Sequence, residues 1–448
     1  MKTDYSKDVY KQLQEALEII EQLREELRQA KLRIAELEAM AGKNSGNSSK
    51  PPSSDGFKKI THAKKKSGKK RGGQKGHKAH HIELVDNPDE IIEHKIEKCK
   101  CGGEIEQIGI CKVKQFVDIE IKTKVTEHQM FEGKCKCCHR HVQAKCDLHD
   151  RVTYGENLKS LVSMLSLEGN VSLNRIKTMI LELTGRVNLS EGTIVKWQDE
   201  LKRKVEPFLE KIKKQLKASE VLHKDETGVR IDRKMNWLHV LSNKKLTLYF
   251  VHKKRGKEAD DEQGVLKDYG GTLIHDHVKW LYRFACQHAE CNAHIIRYLK
   301  GAIENQKSEW AKEMLAFLVE LNNKKKNGEE LDVGEIFARY EGILLKARSI
   351  YYEGKNEGED YKLWRRMGEY AEAHLRFVCD PNVPFDNNQA ERDLRMIKAK
   401  TKISGCFRSD EGAKAFANAK SYTSTMRKNG ENIYAALISA FNANPVFV

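Results

Sequence analysis

"VLHKDETGVRI", residues 221–231, carries Asp225 in a run of apolar and β-branched residues and reads as a strand. Two further runs follow closely, "NWLHVLSN" (236–243) and "LTLYFVH" (246–252), and have the same character. A helical piece around Lys257–Lys267 comes next, then "GGTLIHDHV" (270–278), a short apolar run that reads as a buried strand. The order is therefore strand, strand, strand, helix, strand. In that order the first and fourth strands can lie side by side, which brings Asp225 to Asp276, the residue after the apolar "TLI" and its histidine. Two such carboxylates suit Mg²⁺ or Mn²⁺, which take a few hard oxygen ligands and leave the other positions to water and phosphate. Either aspartate alone is as well explained as a strand-end or turn residue. The pair in this element order is what points to chemistry.

A third acid is available in "VPFDNNQAERDLRM", residues 383–396. Asp386 is a natural N-cap, and Glu391 then falls in the second turn of the helix that follows. Lys398 lies seven residues on and shares its face, while Arg392, Arg395 and Lys402 can line the same groove. A helix decorated with surface ion pairs is the plain alternative. It leaves the Asn387–Asn388 doublet and the arginine density unexplained.

The rest of the chain supplies the means of meeting DNA. Its 448 residues carry a formal net charge of +16, the balance of a protein that meets a polyanion, although part of such an excess is ordinary solvated surface. No stretch approaches the ~18 consecutive apolar residues of a membrane span, and the N-terminus has no signal-peptide core. Residues 8–41 repeat apolar side chains four and three apart, from Val9, Leu13 and Ala16 to Ile34 and Leu37, a coiled-coil seam that predicts self-association. Residues 43–82 read as a disordered basic linker. Within it "KKITHAKKKSGKKRGGQKGHKAHH" offers Lys69, Lys70 and Arg71 to the phosphate backbone.

Seven of the eleven cysteines fall between Cys99 and Cys146, which favours a reducing compartment and a metal site over disulfides. Cys99, Cys101, Cys135 and Cys138 are the candidate ligands of a structural Zn²⁺, with Cys111, Cys137, His139 and Cys146 in reserve. The alternating stretch between the knuckles, residues 114–133, reads as paired strands. A small domain with unmetallated thiols is the alternative. Residues 154–205 read as helices broken at Gly169 and Gly185. Ser190 caps "EGTIVKWQDEL", and a helix–turn–helix would present Thr193, Lys196 and Gln198 to DNA.

The motifs "NSSKPPSSDG", "RGGQKGHK", "SEGTIVKW", "HKDETGVRI", "DNNQAERDLR" and "CFRSDEGAKAFANAKSYTSTMRKNGENIYAAL", with the cysteine knuckles, together resemble the insertion-sequence-66-type transposases of bacterial mobile elements. The resemblance spans nearly the whole chain. It departs at Lys75, where the family usually has proline, and at the first knuckle, spaced C-x-C. It implies a multidomain α+β protein with an RNase H-like α/β catalytic domain and Asp225, Asp276 and Glu391 as the DDE triad. The expected domains are a coiled coil (1–42), the linker (43–82), a zinc-finger-like module (83–150) and a helical DNA-binding segment (151–206). The catalytic core (207–290 and 381–448) would be split by a mostly helical insertion (291–380). Cys291 and His294 match the family's C-x-A-H and are read as structural, with metal ligation the lesser alternative. The implied activity is Mg²⁺-dependent (or Mn²⁺-dependent) cleavage and strand transfer on double-stranded DNA, at the element's terminal repeats and a target, in the bacterial cytoplasm. A homo-oligomer and small accessory proteins of the same element are implied partners. A nuclease of the same fold that cuts without joining, and a catalytically silent DNA-binding protein, are the rival readings.

Overall fold

The computed structural model describes residues 4–44, 46–48, 83–106, 108–148, 150–352 and 358–447. The chain divides into two units: residues 58–144 with 183–185 form one, and the remainder forms the other.

Helix α1 (Asp4–Gly42) contains neither proline nor glycine before Gly42, which ends it. Leu13, Ile20, Leu23, Leu27, Ile34 and Leu37 of its seam are exposed. The residues just beyond α1 correct the expectation of a linker disordered throughout. Gly46 donates its N–H to Asn44 Oδ1 (2.8 Å), Asn44 donates its own to Asn47 Oδ1 (2.7 Å), and Asn47 Nδ2 donates to Glu304 (2.7 Å). Asn47 and Ser48 are buried although the segment has no large apolar side chain; side-chain amides satisfy the turn instead. A Cβ at Gly301 would stand 2.5 Å from the Asn47 carbonyl, so the close approach requires glycine there. The basic tract with Lys69, Lys70 and Arg71 lies outside the described residues.

In the smaller unit, β1 (Glu132–Lys134) and β2 (His141–Gln143) form an antiparallel hairpin, with Gly133 opposite Val142. The paired strands expected over 114–133 are otherwise not formed: residues 114–131 carry no ladder, and Phe116, Val117, Ile119 and Val125 are exposed. Alternation signals a strand only when a partner strand and a covering layer exist.

In the larger unit, α2 (Glu156–Leu167), α3 (Leu173–Thr184) and the start of α4 (Glu191–Lys217) enclose Val162, Ile176, Ile180, Leu189, Ile194 and Trp197. Ser190 caps α4 by accepting the Thr193 N–H (3.0 Å). The helix does not stop at Pro207, as the sequence boundary at 206 expected. Val205, Phe208, Leu209, Ile212 and Leu216 bury one continuous face of α4, which outweighs the lost backbone bond.

The sheet follows: β3 (Val221–Ile231), β4 (Lys234–Ser242), β5 (Thr247–His252), helix α5 (Lys257–Gln263), β6 (Thr272–His275) and β7 (Gln287–Glu290). Its order is β5-β4-β3-β6-β7; β3, β4 and β5 pair antiparallel, while β6 and β7 continue parallel to β3. The last strand, "QHAE", is short and polar and was not anticipated. Along β6, Leu273 enters the core with α4 and Ile274 enters the opposite core, so the strand is buried on both faces and reads as apolar throughout.

Helices α6 (Asn292–Gln306), α7 (Glu309–Asn327), α8 (Val333–Tyr352), α9 (Glu359–Glu369) and α10 (Ala371–Cys379) form the helical insertion around Trp310, Met314, Phe317, Tyr340 and Met367. Buried Glu290, at the end of β7, ties it to the sheet through His277, Tyr282, Arg366 and His374. Burial works against the charge of Glu290, yet hydrogen bonds from His277 and His374 hold its pKa well below the usual carboxylate range. The chain then returns through α11 (Asn388–Ser404), α12 (Asp410–Lys428) and α13 (Ile433–Phe441), and all three contribute to the core with α4.

Candidate active site

The register of β3 and β6 aligns the two aspartates. His223 pairs with Ile274 in the parallel ladder, and Asp225 and Asp276 each lie two residues further on. They therefore come level on adjacent strands, whose axes are about 4.8 Å apart. Their mutual effect is visible in Asp225, whose pKa is pushed up to about 7 by burial, then by the charges of Asp276 and Glu226.

Glu391 is delivered by α11, which is fastened to β3 at both ends. At one end the buried Asn387 side chain donates to the Lys224 carbonyl (2.8 Å) and meets His223 Nδ1 (2.9 Å). At the other, Phe407 donates its N–H to Arg230 O (2.8 Å) and accepts that of Asp232 (2.9 Å). Between them Ala390, Leu394 and Ile397 pack into the core at spacings of four and three. Asp386 is not the N-cap: α11 starts at Asn388, with Asn387 in the cap position, and Asp386 Oδ1 accepts the Asn388 N–H (3.1 Å). The reason is that the Asn387 side chain is committed to β3, leaving Asp386 to close a local turn. Asn387→Ala removes two buried interactions and should destabilise the protein by about 1–3 kcal/mol. Urea unfolding measures that loss.

The start of α6 adds Cys291, at its N-cap position, and His294, in its first turn, which the sequence presents as structural. His294 Nδ1 stands 3.0 Å from Asp276 Oδ1 and 3.9 Å from Glu391 Oε1. These three atoms are buried and have no well-directed hydrogen bond among the described residues, so the short His294–Asp276 approach is an ionic contact. Burial works against a charged His294, yet its contacts with Asp276 and Cys291 outweigh it and push the pKa up to about 11. The donor atoms of Asp276, Cys291 and His294 all lie within 4.8 Å of one another. Orphaned buried oxygens and a mixed donor set are what a divalent cation would satisfy, so these residues fit one.

Behind Asp225 lies a buried ion pair absent from the sequence reading. Lys224 Nζ is 3.1 Å from Asp260 Oδ1 and 2.7 Å from His239 Nδ1, and both members of the ion pair are fully buried. Burial and then the Lys224 charge push His239 down to about 2, so its neutral ring accepts from the ammonium.

The basic candidates divide. Arg392, Arg395, Lys398 and Lys402 on α11 and Lys196 on α4 are exposed. Asp393, by contrast, is internal: Lys428 pairs with it (2.9 Å). Gln198 is half-buried and bonds Ser166 on α2 (3.1 Å).

In the smaller unit the four candidate zinc ligands stand as two separate pairs. The Gly103 N–H and the neighbouring Cys99 lower the Cys101 pKa, and the backbone at Cys138 and Cys137 with the Cys138 side chain lowers that of Cys135. The four sulfurs do not gather into one cluster.

Residues 151–415 match the family described as Transposase IS66 family, a span that holds Asp225, Asp276, Cys291, His294 and Glu391. The chain belongs to the IS66 family of transposases. As such a transposase it is a DNA-binding protein whose role is DNA transposition. Residues 5–83 of this transposase also match a family of unknown function (DUF6444), and no curated protein matches the chain. No helix among the described residues is long and apolar enough to cross a membrane.

Proposed function

We propose that this IS66-family transposase cleaves DNA at the ends of its element and joins the freed 3′-hydroxyl to target DNA, with Asp225, Asp276 and Glu391 as a DDE triad. The register that brings Asp225 level with Asp276, and the His294 side chain that lies 3.0 Å from Asp276 and 3.9 Å from Glu391, carry the reading. The sheet order, three antiparallel strands continued by two parallel ones beside the first, supports an RNase H-like core. Asp225, Asp276 and Glu391 would hold Mg²⁺ or Mn²⁺, which when bound supplies charge stabilisation to the attacking and leaving oxygens. Burial, and then the charges of Asp276 and Glu226, raise the Asp225 pKa, as suits a carboxylate that a cation would stabilise. The joining step needs no covalent protein–DNA intermediate: one phosphodiester bond breaks as another forms at the same phosphorus, and the 3′-oxygen leaving the target carries the electron pair.

Exposed Arg392, Arg395, Lys398 and Lys402 would hold phosphates along α11, with Lys196, Lys69, Lys70 and Arg71 adding further contacts. Arg392→Ala and Lys398→Ala should each reduce the salt dependence of DNA-end binding by about one unit in log K against log salt, read by fluorescence anisotropy. Unchanged slopes would remove α11 from the DNA interface. The exposed α1 seam supports a homo-oligomer. The two thiol pairs, each holding a cysteine with a lowered pKa, support a structural Zn²⁺ drawn to Cys99, Cys101, Cys135 and Cys138. The test of the main reading is incubation of the full chain with a pre-cleaved element end and Mg²⁺. Joined product supports a transposase, cutting alone a nuclease, and binding alone a silent relative.

A further inference from the structure

We propose that Asp276, Cys291 and His294 form a binding position for a zinc-class divalent transition-metal ion, built into the edge of the three-acid centre. The inference rests on reading that centre as metal-binding and adds a donor set that Mg²⁺ chemistry does not call for. Asp276 follows β6, Cys291 occupies the N-cap position of α6, and His294 lies in its first turn. Their donor atoms are mutually within 4.8 Å, one oxygen, one sulfur and one nitrogen. The spacing of three between Cys291 and His294 puts both side chains on one side of the helix start.

Two observations separate this from ordinary packing. His294 is 9% exposed, and its Nδ1 makes a close ionic contact with Asp276 but no well-directed hydrogen bond. Asp276 Oδ1, 3.0 Å away, likewise has this ionic contact and no well-directed hydrogen bond. The Cys291 sulfur is not packed as a simple hydrophobe either: it accepts the Asn387 backbone N–H at 3.2 Å. An N–H aimed at sulfur orients it, as the outer partners of metal ligands do. Asn387 is also the residue that anchors α11, so the same contact links the sulfur to the placement of Glu391.

Mg²⁺ selects oxygen and keeps much of its water, so a thiolate and an imidazole gain it little. Zn²⁺ and Co²⁺ bind sulfur, nitrogen and oxygen together in a four-coordinate set. Asp276 is common to both positions. A zinc-class ion held by Cys291 and His294 therefore draws on a carboxylate that the triad also uses, and the two metals compete.

The test uses the full chain and Co²⁺ as an optical probe, comparing wild type with Cys291→Ser, His294→Gln and Asp225→Asn. Any Co²⁺ held by Cys99, Cys101, Cys135 and Cys138 appears in every protein and cancels in difference spectra. The expected result is a thiolate-to-cobalt band that is missing in Cys291→Ser, weakened at least about tenfold in affinity in His294→Gln, and displaced only by a large excess of Mg²⁺. Asp225→Asn should keep that band. Identical spectra and stoichiometry in wild type, Cys291→Ser and His294→Gln would overturn the proposal and leave His294 as an ion-pair partner of Asp276. Failure of the broader reading looks different: Asp225→Asn would then join DNA as well as wild type, whatever the Co²⁺ spectra show. Circular dichroism melting establishes that each variant is folded, and His294→Gln carries the test should Cys291→Ser not fold.

Discussion

Glu391→Gln should lower strand transfer by about 10³-fold or more, the upper range for losing one preorganised charge-stabilising group, while DNA-end binding stays near wild type. Glutamine keeps the shape and removes the charge. Helix α11 should tolerate it because Ala390, Leu394 and Ile397 and the two ties to β3 hold the helix in place. Glu391 Oε1 has no hydrogen-bond partner, and the substitution gives up only its 3.9 Å ionic approach to His294. A companion result concerns Asp225→Asn in metal-free protein. The folded-state pKa of Asp225 is raised to about 7 from an ordinary 3.8, so the folded state is the stronger proton binder. Stability tied to that proton is present at low pH and lost as pH rises through about 7. Asparagine should therefore raise the melting temperature at pH 8 and leave it nearly unchanged at pH 4. A gain in stability together with a loss of joining would mark Asp225 as placed for function.

Asp260→Ala should destabilise the protein by about 3–5 kcal/mol, because it strands a fully buried ammonium. Lys224 would retain His239, whose ring accepts one hydrogen bond but carries no compensating charge. Since Lys224 adjoins Asp225 in β3, joining should fall as well. The double change Lys224→Met with Asp260→Leu removes both charges and should recover most of the stability. Denaturant midpoints at constant m-value measure both effects. A double variant no more stable than Asp260→Ala would mean that the pair's geometry, and not its charge balance, supports the sheet.

The strands of the core were legible because they satisfy two local rules at once: β-branched composition and clear breaks. The expected runs 221–231, 236–243, 246–252 and 270–278 correspond to β3, β4, β5 and β6, shifted at their ends by up to three residues. Strand β7 was not legible. "QHAE" is polar because its side chains bond across the structure, as Glu290 does to Arg366 and His374. The stretch 114–133 misled in the opposite sense, since it alternates without forming more than the start of a hairpin at Glu132.

At the site, Asp225, Asp276 and Glu391 could be named from element order and composition. Their approach depends on the β3–β6 register and on Asn387, which no local pattern reveals. The spacing of Cys291 and His294 was visible; their direction toward Asp276 was not, because it is set by how α6 leaves β7. The Lys224–Asp260 pair left no signal, since a lysine and an aspartate 36 residues apart look like surface until the fold buries both.

The most direct measurement is the anomalous scattering of Mn²⁺ in crystals of the full chain bound to a cleaved element end. The account predicts manganese peaks bounded by the carboxylates of Asp225, Asp276 and Glu391, adjacent to the terminal phosphate. Manganese bound away from these three residues, with the DNA 3′-end directed to another part of the surface, would contradict it.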